Sequence, residues 1–225
     1  MSAASEKLTS PQRLVPQRLR GQRKTQDPCE TCGLHQLRCL CSEIPRLQLR
    51  TRVSLIVHTR ELRRTSNTGR LAVAALVNSD MHIRGLQAFP LQLQDFLKPQ
   101  TQGLLLFPSE DAVDLTPDFV KGFGLPIHLV VPDGNWRQAS KVATRYPELK
   151  SLPRVKLARP KDAVAHLRAE SDQNGMATLQ AVALALGVCE GPSTERALLE
   201  LYELKLARTL AGRRGGALPA FGGNQ

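Results

Sequence analysis

Ile127-His128-Leu129-Val130-Val131, then Pro132-Asp133-Gly134-Asn135, then Trp136-Arg137-Gln138, is the run on which the fold turns. A β-branched apolar stretch that stops at a proline and hands a carboxylate, a glycine and the chain's single tryptophan to a helix start reads as strand, break and helix. Open α/β sheets bind ligands beyond the carboxyl ends of their strands, so Asp133 and Trp136 stand where chemistry is expected. Ala139, Val142, Ala143 and Tyr146 fall at i, i+3, i+4 and i+7 and give the helix one apolar face, which Pro147 terminates. Arg137, Lys141 and Arg145 repeat every fourth residue on another face. By itself such a stripe reads as a solvated basic surface.

Working outward, Val53–Val57 and Gly103–Phe107 are two further apolar strands. Ser66-Asn67-Thr68-Gly69 offers capping side chains ahead of Leu71–Val77, which predicts a helix whose first amides are uncovered and able to hold a carboxylate or phosphate. Residues 175–187 and 194–210 read as two more helices, the first almost wholly apolar and therefore buried. This order predicts an α/β fold, a mostly parallel sheet with helices on both faces. Neither a Gly-x-Gly-x-x-Gly nor a Gly-x-x-x-x-Gly-Lys loop occurs, which argues against the usual dinucleotide and P-loop sites.

Three loops then leave strand ends: His58-Thr59-Arg60-Glu61, Pro108-Ser109-Glu110 and Pro132–Trp136. With parallel strands they meet on one rim and form a cleft. Each member also has a plain reading. Ser109 can cap a helix, Asp133-Gly134 can be a turn, and His58 can be a satisfied strand-end side chain.

Four of the five cysteines lie close together as Cys29-x2-Cys32-x6-Cys39-x-Cys41. In a reducing compartment two close pairs favour a zinc knuckle over disulfides, with an iron–sulfur cluster or a redox pair as alternatives. Four thiolates close the coordination shell, so Zn2+ there is structural. Cys189, near the end of an apolar helix, reads as a buried small hydrophobe.

The chain has 225 residues and a formal charge of +11, unevenly spread. Residues 1–26 contain six Lys or Arg against Glu6 alone and read as a disordered basic arm, although a transit peptide has the same composition. Residues 27–45 form the expected knuckle, 46–211 the main domain and 212–225 a flexible glycine-rich tail. The charge suits a phosphate-rich partner. The 4% aromatic content argues against a stacking platform for single strands. No segment approaches the ~18 apolar residues of a membrane span, so the expectation is a cytoplasmic protein with no membrane contact. Nothing in the chain implies a protein partner.

These residues together resemble the DTW-domain family, whose members include tRNA-uridine aminocarboxypropyltransferases. The resemblance runs from Cys29 to about Arg208. It rests on the cysteine cluster, on His58-Thr59-Arg60-Glu61 with Asn67-Thr68-Gly69-Arg70-Leu71-Ala72, on Leu106-Phe107-Pro108-Ser109, and on Asp133-Gly134-Asn135-Trp136-Arg137-Gln138-Ala139. It implies a core similar to the knotted SPOUT methyltransferases and S-adenosylmethionine as donor. The 3-amino-3-carboxypropyl group would pass to N3 of a tRNA uridine. Two positions depart from the family pattern. Asn135 replaces a Thr, keeping a donor and an acceptor, and Ala177-Thr178-Leu179-Gln180 stands where Ser-Thr-x-Glu is common.

Under this resemblance Asp133 faces the uridine N3 proton as base or as positioning group, with Trp136 beside it. Asn67, Thr68 and Gly69 would take the donor's amino-acid carboxylate. Phe107, Pro108 and Ser109, with Gly134 and Asn135, would hold its remainder. Arg60, Arg63, Arg64, Arg70, Arg137, Lys141 and Arg145 would grip tRNA phosphates. Two other functions remain open: a SPOUT-like RNA methyltransferase, separated by the mass of the product, and a non-catalytic zinc-knuckle RNA-binding protein, which would not bind S-adenosylmethionine.

Overall fold

The computed structural model describes residues 28–158 and 176–213, apart from 63, 87, 89 and 95. The expected arm over 1–26 and the tail from 214 onward lie outside the described residues, as does Arg63.

Six strands are described: β1 (Arg52–His58), β2 (Ser79–Arg84), β3 (Gln102–Leu106), β4 (Val113–Asp114), β5 (Ile127–Asp133) and β6 (Arg154–Lys156). They make one sheet in the order β2-β1-β5-β3-β6-β4, and every pairing is parallel. The helices are α1 (Gly69–Ala75), α2 (Pro117–Lys121), α3 (Trp136–Arg145), α4 (Pro147–Lys150), α5 (Thr178–Glu190) and α6 (Pro192–Arg213).

Strand side chains alternate between two cores, as the pleat requires. Val53, Leu55 and Val57 of β1, Leu104 and Leu106 of β3, and Ile127, Leu129 and Val131 of β5 join Leu71, Ala72 and Ala75 of α1, with α5 and α6, on one face. Ile56, Leu105 and Val130 face the other way, against Ala139 and Val142 of α3 and Leu149 of α4. Helices therefore cover both faces, and strands buried on both sides are apolar almost throughout. Ala139, Val142 and Tyr146 of the expected apolar face of α3 pack on the sheet.

The expected break at Pro132 does not occur. β5 runs on to Asp133, with Ile56 opposite Pro132 and Val57 opposite Asp133. The ladder to β3 has already ended, at Leu105 opposite Val130. Beyond that point β5 pairs on one side alone, where a residue lacking an N–H costs little. Strands β2, β4 and β6 are additions to the sequence reading. β2 (Ser79-Asp80-Met81-His82-Ile83-Arg84) is a polar edge strand, paired only with β1, and carries little apolar signal. β4 and β6 are two and three residues long.

The four cysteines fold into two turns that pack on the α5/α6 side of the sheet. Gly33 takes φ of +72°, a conformation that favours glycine, and so allows Cys29 N–H to reach Leu34 O at 2.7 Å. Cys32, Leu34 and Leu40 are buried in the same core as α5 and α6.

Candidate functional site

Asp133 is the last residue of β5, and alternation along the strand turns its side chain to the face of Leu129 and Val131. It is only 6% exposed. Asn67 Nδ2 donates to its Oδ2 at 2.8 Å, and Thr178 Oγ1 donates to its Oδ1 at 2.6 Å. A Cβ built on Gly69 would stand 2.7 Å from Asp133 Oδ2. The carboxylate is thus wedged between the starts of α1 and α5, and the missing side chain at Gly69 makes room for it.

A second thread ties the same elements together. Leu179 N–H donates to Thr68 Oγ1 at 3.1 Å. Thr68, at the cap position of α1, therefore serves the first turn of α5. Asn67 Oδ1 accepts from Arg70 N at 3.2 Å, and Leu71 N reaches Thr68 O at 3.0 Å. Of the amides expected at Asn67 to Gly69 to take a carboxylate, that of Asn67 is engaged by Arg64 O at 3.0 Å, and those of Arg70 and Leu71 just beyond are engaged as well. Asn67, Thr68 and Gly69 are themselves buried.

Gln180 Oε1 accepts from Ala177 N at 3.2 Å and so closes half of a capping box at the start of α5. Ala177 has no side-chain acceptor for the other half. The full box is found at α3: Asn135 Oδ1 accepts from Gln138 N and Gln138 Oε1 accepts from Asn135 N, both at 2.9 Å. Asn and Thr are both good caps, which gives the Asn135 departure a physical basis. A Cβ at Gly134 would stand 2.8 Å from Gln138 Oε1.

The remaining expected residues are distributed unevenly. Trp136 opens α3, and its side chain is not among the parts described. Phe107 packs into the α3/α4 core. Pro108 and Ser109 instead line a cleft of about 430 Å³ with Glu110, Asp114, Lys156, Leu157 and Ala158, beyond the ends of β3, β4 and β6. Of the three loops, the third carries Asp133 and the first leaves β1 just after Val57, which pairs in register with Asp133, whereas the second opens onto this separate cleft. Arg60, Arg64, Arg137, Lys141 and Arg145 are exposed. Arg70 is half-buried and donates to Glu30 O and Leu62 O.

Thr178, Arg84 and Lys205 escaped the sequence reading. Thr178 stands in the Ala177–Gln180 segment, where the departure from the family pattern at Gln180 is the stronger local signal. Arg84 sits on a strand with no apolar signature. Lys205 sits at a core position of α6, where its periodicity with Leu198, Leu201 and Tyr202 was the available signal.

Cys29, Cys32, Cys39 and Cys41 bring their Sγ atoms within 4.8 Å of one another. Cys29 and Cys41 are 3.4 Å apart and Cys32 and Cys39 3.8 Å apart, too far for disulfides. Four thiolates at about 2.3 Å from one tetrahedral ion would be separated by about 3.8 Å, so the donor set fits Zn2+. Burial raises thiol pKa values, yet the amides of Cys32 and Thr31 and the neighbouring Cys41 thiol bring Cys29 down to about 6. The second shell is basic. Lys205, fully buried, donates from Nζ to Cys32 O at 2.5 Å, and burial lowers its pKa to about 8. Arg208 donates to Cys39 O and to Glu43 Oε1. A dication on four thiolates keeps a net charge of −2, which these cations offset. The knuckle and α6 are therefore one packed unit.

Comparison with known proteins follows the same lines. The model of a family described as the DTW domain matches residues 26–210. The tRNA-uridine aminocarboxypropyltransferase 2 of Macaca fascicularis is 23% identical over 172 residues, covering 74% of this chain and 58% of the relative. The chain thus spans somewhat more than half the length of that relative. No solved structure matches.

Proposed function

This chain belongs to the DTW-domain family, and from that premise we propose that it is a tRNA-uridine aminocarboxypropyltransferase. S-adenosylmethionine is the donor, and N3 of a tRNA uridine is the acceptor. Asp133 takes up the N3 proton as the nitrogen's electron pair forms the new C–N bond. The bond from the aminocarboxypropyl carbon to sulfur breaks, and neutral 5′-methylthioadenosine departs.

The observation that carries this reading is the convergence on one buried carboxylate of three segments far apart in sequence: Asn67 to Gly69, Asp133 and Thr178. A buried acid held by two donors on fixed elements is suited to an in-line displacement, whose rate depends on alignment. A plain RNA-binding module has no need of it. The all-parallel sheet with β5 between β1 and β3 supports a SPOUT-like core, as the resemblance implies. Zn2+ on the four cysteines holds the knuckle and takes no part in transfer. The site of action is the cytoplasm.

The test is direct. Purified protein is incubated with S-adenosylmethionine and tRNA lacking the modification, and the digested nucleosides are weighed by mass spectrometry. Gain of an aminocarboxypropyl group on uridine is the expected result, together with release of 5′-methylthioadenosine. Gain of a methyl group, or no change with well-folded protein, overturns the assignment.

A further inference from the structure

The face of the sheet opposite Asp133 carries Arg84 and His58, to which the reaction above gives no role, near Arg60 and Arg145, which the resemblance assigns to tRNA phosphates. His58 ends β1 and pairs in register with Arg84 at the end of β2. Being one position beyond Val57, His58 projects to the α3 side. Its ring lies over Gly85, where a Cβ would stand 3.0 Å from Nε2, and the φ of +87° at Gly85 favours a residue without one. His58 Nδ1 accepts from Arg60 N at 3.2 Å, so Nε2 carries the proton and is a donor.

Arg84 is 3% exposed and donates from Nη2 to Gln138 O of α3. Its Nε is buried with no hydrogen-bond partner among the described residues. Among the described residues no carboxylate pairs with it. Arg145 lies two helical turns beyond Gln138 on the same side of α3 and is exposed, as is Arg60. Burial, and to a smaller degree the charge of Arg145, lower the Arg84 pKa against the opposing effect of Tyr146. Burial, then Arg84 and Arg60, lower that of His58. Glu61, the acid acting on His58, lies 3.4 Å from Arg64.

A buried guanidinium with no carboxylate among the described residues, beside two exposed ones and an imidazole donor, is an arrangement suited to an anion. We propose that Arg84, His58, Arg60 and Arg145 form a binding site for a phosphate of the RNA backbone, on the α3 side of the β1–β2 edge. Arg60 and Arg145 grasp the phosphate, His58 Nε2 donates to it, and Arg84 supplies fixed charge beneath. The choice of a polyanion over a single phosphate rests on α3. From Arg145 the exposed cations Lys141 and Arg137 continue at steps of four residues, about 6 Å each, as an extended row. That the polyanion is tRNA rests on the function proposed above.

The experiment is equilibrium binding of unmodified tRNA to the full chain, over KCl concentrations from about 50 to 200 mM. Arg145→Glu and Arg60→Glu change exposed residues and leave the fold alone. Each is expected to weaken binding about tenfold or more and to reduce the salt slope by about one phosphate's worth. Arg196→Glu, an equal charge change on the exposed side of α6, is expected to do neither. Arg84→Met, accepted only if its circular dichroism matches wild type, should weaken binding further. Excess inorganic phosphate at constant ionic strength should compete only weakly; displacement of tRNA by low millimolar phosphate would show a site for the free anion instead. Wild-type affinity and slope in both glutamate variants, or losses no greater than those of Arg196→Glu, overturn the proposal. A chain that binds tRNA through these residues but transfers nothing would remove the proposed activity and leave this site standing.

Discussion

Thr178 Oγ1 donates to Asp133 Oδ1 at 2.6 Å although 45 residues separate them. The hydroxyl comes from the first turn of α5 and the carboxylate from the tip of β5, so the bond adds a directional tie between two elements that otherwise meet through apolar packing. Thr178→Val keeps the shape and deletes the donor. Transfer should fall about 100-fold, as small misplacements of a reacting group do, while tRNA affinity stays at the wild-type value. Thr178→Ser should restore most of the rate. Single-turnover transfer measured beside tRNA binding checks the split; equal loss in Val and Ser variants would mean packing matters and the hydroxyl does not.

Gly69→Ala tests the same carboxylate from the other side. The added methyl would meet Asp133 Oδ2 at 2.7 Å and Leu55 Cδ1 at 3.0 Å. One of them must move, at about 1–3 kcal/mol of overpacking. The expected outcome is a lower melting temperature with a loss of transfer larger than that shift explains. An active, fully stable alanine variant would show that Asp133 tolerates displacement.

Much of this arrangement was legible in the chain. The run from Ile127 to Gln138 announced a strand, an acid at its tip and an amphipathic helix, because buried parallel strands and amphipathic helices leave strong periodic signals. The four cysteines announced their cluster by spacing. What stayed hidden was long-range. Nothing local to Thr178 or Thr68 says that they meet Asp133 and Leu179, since these bonds depend on how α5 docks. Pro132 suggested a stop because strand propensity takes no account of whether the neighbouring ladder has already ended. Strand β2 was missed because an edge strand need not be apolar, and Arg84 was missed with it.

Lys205 should matter to metal retention. With Lys205→Met the cation beneath Cys32 is lost while the volume stays similar, leaving the tetrathiolate charge less compensated. Loss of an outer partner of this kind typically weakens metal binding about 10–100-fold. Zinc release to a chromophoric chelator should be faster by a similar factor. Release at the wild-type rate would show that Arg208 and Arg70 suffice.

Acid sensitivity should come from the opposite corner of the sheet. His128 is fully buried, its Nε2 lies 2.8 Å from Ser54 Oγ, and burial, followed by the charge of Arg52, lowers its pKa to about 4. Below the unfolded value of about 6.5 the unfolded chain takes up a proton that folded His128 refuses. Stability is therefore intact above pH ~6.5 and declines as the pH falls toward ~4, by up to about 3 kcal/mol. Asp80 adds to the decline at still lower pH, because its burial is outweighed by His82 Nε2 3.3 Å away, the hydrogen bond from Ser54 and the charge of Arg52, which together depress its pKa. Urea unfolding between pH 4 and 7 should show the slope. His128→Gln, which keeps a partner for Ser54, should flatten it.

The Thr68–Leu179 bond joins positions 111 apart, and Lys205 reaches back across 173 positions to Cys32. A ribosome emitting this polypeptide would release β1, α1 and β5 well before the helices that complete them. Until α5 and α6 emerge, Asp133 lacks the Thr178 donor and the cysteine turns lack their buried cation. Both the carboxylate and the cysteine turns thus wait for their partners on the same pair of late helices.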